Sequence, residues 1–186
     1  MPTNLSGQCP KLVGVSRMVI LSDARIAELL IDPKPIAPRE VRKLKQRLRL
    51  ASRSQLTAQV SIKSTGRRNF RIAVRKDPSR PKNFSVRLAF FIRKRWVNLI
   101  RCNGHHTLHV NELESRAKVG VQRIPENTFH IHQATERYQT FGKDAEFYAE
   151  PTDRYETFEG AVEFLCSHFG CFNSEEPGQL LLPFLD

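Results

Sequence analysis

Between residues 70 and 93 the chain alternates apolar residues with residues that are mostly basic, and this period of two limits the folds open to it. The apolar positions are Phe70, Ile72, Val74, Val86, Leu88, Phe90 and Ile92, and the positions between them include Arg71, Arg75, Arg87 and Arg93. Successive side chains of a β-strand point to opposite faces, so the pattern predicts strands with one buried face and one basic face. Such strands suit an antiparallel sheet that has one face on a core and the other in water.

Positive charge is concentrated in the same part of the chain. From Lys34 to Arg101 there are 21 lysines and arginines against two acids, whereas Thr135 to Asp186 contains eleven acids and three basic residues. Like charges work against compaction, so this concentration favours a polyanionic partner, of which nucleic acid is the commonest. A solvated surface that promotes solubility is the other interpretation.

Two helices are predicted before the strands. The first begins at Ser22 or Asp23, which can cap its N-terminus, and ends at Ile31. The second begins at Pro38 and continues to about Ser52 as a basic amphipathic helix. Its apolar stripe is narrow and has no aromatic residue, so nucleic acid is favoured over an anionic membrane. The residues predicted to contact nucleic acid, from this helix and the basic strand face, are Arg39, Arg42, Lys43, Lys45, Arg49, Arg71, Arg75, Arg87 and Arg93.

A third helix is predicted near the C-terminus, from Phe158 to Phe169, with Gly170 as its cap. The chain is therefore expected to fold as an α+β domain, with an antiparallel sheet of about six strands, two N-terminal helices and one C-terminal helix. Residues 1–18 are predicted to be a flexible extension and residues 19–173 the single domain. Residues 174–186 are predicted to be an acidic linker followed by an apolar peptide.

Five of the six histidines lie within 28 residues of one another, between residues 105 and 132. Asn103-Gly104 stands between two strand-like segments and is the strongest short signal for a β-hairpin, which would place Arg101 opposite His106. His130 and His132 are two residues apart, so one side of a strand would carry both. If that strand joins the same sheet, up to four imidazoles would converge.

Three interpretations of these histidines remain open. They can be structural, hydrogen-bonded within a half-buried sheet. They can be catalytic, with His106, His130 and His132 transferring protons and Arg101 holding a phosphodiester, because the unperturbed pKa of histidine lies near neutrality. In that case RNA is the natural substrate, since its 2′-hydroxyl is an internal nucleophile. They can also bind a metal, although His-Glu-x-x-His and Cys-His ligand spacings are absent, and neither a metal nor a cofactor is predicted.

Several classes of protein are disfavoured. The sequence has no phosphate-binding P-loop, no dinucleotide-binding glycine motif and no Gly-x-Ser-x-Gly elbow. It contains no apolar run long enough to span a membrane, and it begins without the pattern of a signal peptide. The four cysteines are scattered with no Cys-x-x-Cys pair, so a reducing, cytoplasmic location is expected.

Two short patterns resemble known groups of proteins. Arg101-Cys102-Asn103-Gly104-x-His106, together with His130-Ile131-His132-x-x-Thr135, resembles an uncharacterised family of small bacterial and phage proteins, over about Leu21 to Asn173. That resemblance implies a bacterial or mobile-element origin and no activity. Near the C-terminus, a short peptide resembles the bacterial sliding-clamp-binding motif, which implies a clamp or another protein as partner. Docking of this peptide onto the protein's own core is the alternative. Its matching residues are Gln179, Leu180, Leu182 and Phe184.

The sequence thus predicts a nucleic-acid-binding protein that uses the basic helix and the basic strand face. Phosphodiester cleavage at the histidines, as in a toxin or defence nuclease acting on RNA rather than DNA, is one extension of this hypothesis. The alternative is a non-enzymatic adaptor or inhibitor that binds nucleic acid or a nucleoprotein and uses its C-terminal peptide on a protein partner.

Overall fold

A computed structural model describes residues 19–52 and 54–173, and its largest element is a twisted antiparallel sheet. The strands in chain order are β1 (Lys34–Ile36), β2 (Arg49–Ser52), β3 (Gln55–Lys63), β4 (Asn69–Asp77), β5 (Arg80–Ile92), β6 (Arg95–Asn103), β7 (His109–Val110), β8 (Arg123–Ile124), β9 (His130–Gln133), β10 (Tyr148–Pro151) and β11 (Cys171–Asn173). Seven of them form the main sheet in the order β10-β9-β6-β5-β4-β3-β2. β1 pairs in parallel with β11, and β7 pairs with β8.

Five helices accompany the sheet within the described residues. They are α1 (Asp23–Ile31), α2 (Pro38–Gln46), α3 (Glu112–Ala117), α4 (Glu136–Thr140) and α5 (Phe158–His168). The predicted α+β class is confirmed. Among these helices, none is long and apolar enough to cross a membrane.

The predicted helix ends are correct for α1 and α5 and wrong for α2. Ser22 caps α1 through its hydroxyl, and Gly170 follows α5 with a φ of 71°, which glycine adopts without strain. The second helix ends at Gln46 instead of continuing to Ser52. The chain then enters β2, where all four residues are exposed, so Arg49 lies on an edge strand rather than on a helix.

One face of the main sheet is the core face, and α1, α2 and α5 cover it. Val41 and Leu44 of α2 and Phe158 and Leu165 of α5 are buried in one apolar cluster. The strands contribute their alternate apolar residues to this cluster: Val60, Ile62, Phe70, Ile72, Val74, Val86, Leu88, Phe90, Ile100 and Cys102. Alternation therefore turns the intervening residues of β3 to β6 to the opposite side of the sheet.

The predicted hairpin at Asn103-Gly104 is wrong. β6 ends at Asn103, but the chain does not turn back there: the amides of Gly104 and His105 donate to the carbonyls of Phe84 and Lys82 on β5, at 3.0 and 2.6 Å. A type I′ turn needs a positive φ at both central residues. That conformation occurs instead at Arg93 and Lys94, with φ values of 46° and 65°, which join β5 to β6. The strand that pairs with the other edge of β6 is β9.

A β-bulge in β6 changes which residues face the core. The register between β5 and β6 shifts so that Leu88 pairs with Ile100 while the next residue, Ala89, pairs with Asn98. Leu99 is the extra residue of the bulge, and it is buried, like Ile100. Under strict alternation Arg101 would share the buried face with Leu99, two residues before it. The bulge instead places Arg101 on the polar face.

Candidate functional site

The polar face of the main sheet carries a row of arginines across β4, β5 and β6. Arg71 and Arg75 alternate with the core residues of β4, and Arg87 lies opposite Arg101 in the pairing of β5 with β6. We call these four residues the arginine face. Three of them, Arg71, Arg75 and Arg87, were predicted to contact nucleic acid from the alternation alone. Arg101 was predicted to hold a phosphate.

The arginines of this face have few partners. The Nε atoms of Arg71, Arg87 and Arg101 are buried without a hydrogen bond, and none of the four guanidinium groups forms an ion pair with a described carboxylate. Burial lowers the pKa of both Arg87 and Arg101, and the neighbouring arginines lower it further, while Glu146 opposes the shift. The side chains remain partly exposed, so a ligand can reach them.

The other predicted nucleic-acid contacts lie elsewhere. Arg93 occupies the turn between β5 and β6, where its positive φ takes it off the arginine face. α2 packs on the core side of the sheet, so its cations belong to the opposite surface of the molecule. Of these, Arg39 and Arg42 are exposed, whereas Lys43 is paired with Glu40 and Lys45 is paired with Glu163 of α5.

Four imidazoles converge at the end of the arginine face. His130 and His132 both point to this side from β9, opposite Asn103 and Arg101 of β6. The segment after β6 returns over them and brings His106 within 5.8 Å of His130 and His109 within 4.8 Å of His132, measured between ring centroids. We call these four residues the histidine cluster. The predicted convergence is present in the structure, although the pairing with β9 produces it rather than a hairpin.

His105 does not belong to the cluster. Its ring lies 4.7 Å from that of Phe129 and faces a groove of about 580 Å³ beside the β4–β5 loop. Arg80 and Lys82 line the same groove, and His106 lies at its inner side. The groove therefore extends the basic surface beyond the histidine cluster.

Hydrogen bonds fix the state of His130. Its Nδ1 lies 2.7 Å from the carbonyl of Thr128 and must donate to it, so Nε2 accepts from the side-chain amide of Asn103 at 3.2 Å. Both ring nitrogens are thus used by a neutral imidazole. The side-chain oxygen of Asn103, Oδ1, is buried without a hydrogen-bond partner.

His132 has two competing partners at one nitrogen. Nδ1 lies 3.1 Å from an amino group of Arg101 and 3.1 Å from the carbonyl of Glu146. Arginine only donates and a carbonyl only accepts, so the two contacts require opposite tautomers. A His132 that donates to Glu146 therefore offers no acceptor at Nδ1 to the amino group of Arg101.

Burial keeps the inner histidines neutral. It lowers the pKa of His130 to about 4 and that of His132 to about 2, with further lowering by the charge of Arg101. The pKa values of His106 and His109 are also lowered, mainly by burial. At neutral pH these imidazoles therefore carry no extra proton to donate, which opposes a role for His130 or His132 as the general acid of the predicted proton transfer.

His106 has a buried ring nitrogen, Nε2, without a hydrogen-bond partner. The charges of Arg75 and Arg101 lie close enough to depress the pKa of this histidine. His109, in contrast, has its Nε2 3.1 Å from Oδ1 of Asn111. The amide nitrogen of Asn111 in turn donates to the carbonyls of Val121 and of Ala149 in β10. Within residues 19–52 and 54–173, no group of three or more histidines, cysteines or acids has the geometry to hold a metal ion.

Sequence reasoning missed several residues of the site. Trp96 and Phe91 lie on the polar face next to Arg71, and Asn98 donates to the buried carboxylate of Glu146 at 2.6 Å. The pairing of Phe91 with Trp96 could have been found only by recognising the Arg93-Lys94 turn. The peptide at Gln179, Leu180, Leu182 and Phe184 lies outside the described residues and stays a prediction.

Comparisons with protein-family models, with curated proteins and with solved structures find no match. The chemistry of the arginine face and the histidine cluster is therefore the basis for a functional proposal.

Proposed function

We propose that the protein binds the phosphate backbone of nucleic acid on its arginine face. The observation that supports this most directly is the pairing of Arg87 with Arg101 on neighbouring strands, with buried Nε atoms and no carboxylate partner. Like charges directly opposite each other destabilise a sheet. An anion bound to the exposed parts of these two guanidinium groups would offset this cost.

The extent of the surface favours a polymer over a small phosphorylated ligand. The arginines occupy three adjacent strands, which lie about 4.8 Å apart, so their row crosses the sheet rather than enclosing one point. The groove lined by Arg80 and Lys82 continues the positive surface past His106. A chain of regularly spaced phosphates matches such a row, and releases counterions from each contact.

The proposal is tested by the affinity for a labelled 12-nucleotide strand, measured by fluorescence anisotropy. The double variant Arg75→Gln/Arg87→Gln removes two charges that have no ion-pair partner, and we expect it to weaken binding by about tenfold or more. The matched control is Arg39→Gln/Arg42→Gln, which removes the same charge from α2 on the opposite surface and is expected to retain most of the affinity. Equal losses in both variants would mean that net charge alone drives binding. Absence of binding by the wild type would refute the proposal.

Cleavage of RNA is a second candidate function, and the unpartnered Nε2 of His106 favours it. A neutral imidazole beside Arg75 and Arg101 can accept the proton of a 2′-hydroxyl while the arginines hold the phosphate. The oxygen then attacks phosphorus, the bond to the 5′-oxygen breaks, and water protonates the leaving oxygen because His130 and His132 are neutral.

A nuclease assay in EDTA separates cleavage from binding. If His106 is the base, the wild type cuts RNA without metal and His106→Ala loses at least about a hundredfold in rate while still binding the strand. Intact RNA with wild-type protein would leave binding as the function. The adaptor hypothesis depends on the C-terminal peptide and would then be tested by deleting residues 174–186 and measuring partner capture.

A further inference from the structure

Beside the arginine face, the polar side of the sheet carries two neighbouring aromatic residues, Phe91 and Trp96. They form a cross-strand pair on β5 and β6, with ring centroids 5.0 Å apart and planes inclined by 49°. Phe91 is 38% exposed, so its ring is accessible to a ligand. We call these two residues the aromatic pair.

The aromatic pair is directly joined to the basic surface. The guanidinium carbon of Arg71 lies 4.4 Å from the ring centroid of Trp96, within the range of a cation–π contact. Arg71 belongs to the arginine face, so one side chain links the stacking surface to the row of phosphate-binding groups. Arginine planes and aromatic rings are the two surfaces on which unpaired bases stack in proteins.

A small cavity with both polar and apolar lining lies next to Trp96. Its volume is about 240 Å³, and Asn98, Asp144 and Glu146 contribute to its lining. The side-chain amide and carboxylates of these three residues can donate to or accept from the edge of a base. A paired base in a duplex has its ring faces covered by its neighbours and its Watson–Crick edge engaged, so it could use neither the ring of Trp96 nor this cavity.

We propose that the protein prefers single-stranded nucleic acid, and that an unpaired base stacks on Trp96 and Phe91 while the adjoining phosphates lie on the arginine face. This inference rests on the proposed function, because the arginine face is what brings the strand to the aromatic pair. It adds the class of ligand: a strand with accessible bases, in place of a duplex recognised through its phosphates alone.

Trp96 is the only tryptophan in the chain, so its emission reports on the proposed contact. Titration with a 12-nucleotide single strand is expected to quench this emission, whereas an abasic strand with the same number of phosphates and a duplex of the same sequence leave it nearly unchanged. Anisotropy of labelled versions of the three ligands measures their binding independently of the tryptophan.

Substitutions then test the energetic role of the aromatic pair. We expect Phe91→Leu and Trp96→Leu each to weaken single-strand binding by roughly 5- to 150-fold, with little change for the abasic strand. Phe141→Ala is the matched control, because Phe141 is 44% exposed and has its own arginine, Arg116, 4.9 Å from its ring. It should bind like the wild type.

The outcomes distinguish the two proposals. Binding of the single strand without quenching, or equal affinity for single strand and duplex that both Leu variants retain, would overturn the stacking inference and leave the arginine face in place. No binding of any of the three ligands would overturn the proposed function itself.

Discussion

Gly104 directly follows β6, at a point where the backbone passes too close to β5 for any side chain. A Cβ atom at this position would lie 1.9 Å from the carbonyl oxygen of Lys82 and 2.8 Å from the ring of Phe84. We therefore expect Gly104→Ala to lower the free energy of unfolding by about 2 kcal/mol, measured by denaturant titration. Gly66→Ala is the control, since its nearest contacts are ordinary at 3.7 Å. Equal stability of the two variants would contradict this close approach.

The buried histidines should make the stability of the protein depend on pH. The pKa values of His130 and His132 are lowered in the folded state to about 4 and about 2, whereas those in the unfolded chain are about 6.5. Between these limits the unfolded state binds more protons than the folded state, so acidification favours unfolding. The two histidines therefore do not lower the free energy of unfolding above pH 6.5. Their destabilising effect grows as the pH falls toward the pKa values of the folded state.

Acidification from pH 7 to pH 5 should therefore lower the free energy of unfolding by up to about 2 kcal/mol for each of these two histidines. This window lies above the range in which carboxylates titrate, so histidines dominate the change. His132→Gln is expected to make the slope of stability against pH shallower in the same window. An unchanged slope would mean that His132 is protonated in the folded protein.

At the scale of the strands, the proposed anion site requires the pairing of Arg87 with Arg101 to destabilise the free protein relative to its ligand complex. Because like charges lie opposite each other there, we expect Arg87→Gln to raise the unfolding free energy of the unliganded protein by about 1 kcal/mol while weakening binding. Arg68→Gln is the contrasting variant, since Arg68 pairs with Glu28 and Asp32 at 2.8 and 3.1 Å. In thermal unfolding, the midpoint temperature should rise for Arg87→Gln and fall for Arg68→Gln. A lower midpoint for Arg87→Gln would argue against an anion site that destabilises the free protein.

The elements most clearly marked in the sequence were those with a sustained period. Alternation gave the faces of β4 and β5, and helical spacing with good caps gave α1 and α5. The errors occurred where a local signal competed with pairing across the sheet. Asn103-Gly104 has the composition of a hairpin turn, but its glycine is required by the approach to Lys82, and the turn itself uses two charged residues with positive φ.

At the scale of the whole molecule, only part of the positive charge faces the proposed ligand. α2 lies on the core side of the sheet and the arginine face on the other side, so a short strand bound to the sheet does not reach both. If four arginines contact four phosphates of a single strand, the logarithm of the binding constant falls against the logarithm of salt concentration with a slope of about −3.

This slope is measurable by repeating the anisotropy titration from low to moderate salt. Arg87→Gln should make it shallower by about 0.7, the contribution of one contact. A slope several times steeper would show that the basic helix and loops also engage the strand, and the arginine face alone would not account for binding.

The sequence predicted the residues of the candidate site better than the backbone arrangement that brings them together. His106, His130, His132 and Arg101 were selected from the sequence, and all four meet at the end of the arginine face. The burial of the three histidines, and hence their neutral state, depends on the segment that folds back over β9, and that segment has no periodic signal in the sequence. The aromatic pair was missed because Phe91 and Trp96 become neighbours only through the turn at Arg93 and Lys94, which was not recognised from the sequence.

The parallel pairing of β1 with β11 has a consequence for synthesis of the protein. Residues 34–36 and residues 171–173 complete each other's hydrogen bonds, although about 135 residues separate them along the chain. At roughly 5–20 residues per second, a ribosome needs on the order of ten seconds to add that length. During this interval residues 34–36 have no partner strand. The ammonium group of Lys34, which is buried in the folded protein, also lacks one of its acceptors, the carbonyl of Phe169. A chaperone that binds the nascent chain during this interval would therefore find β1 not yet paired with β11.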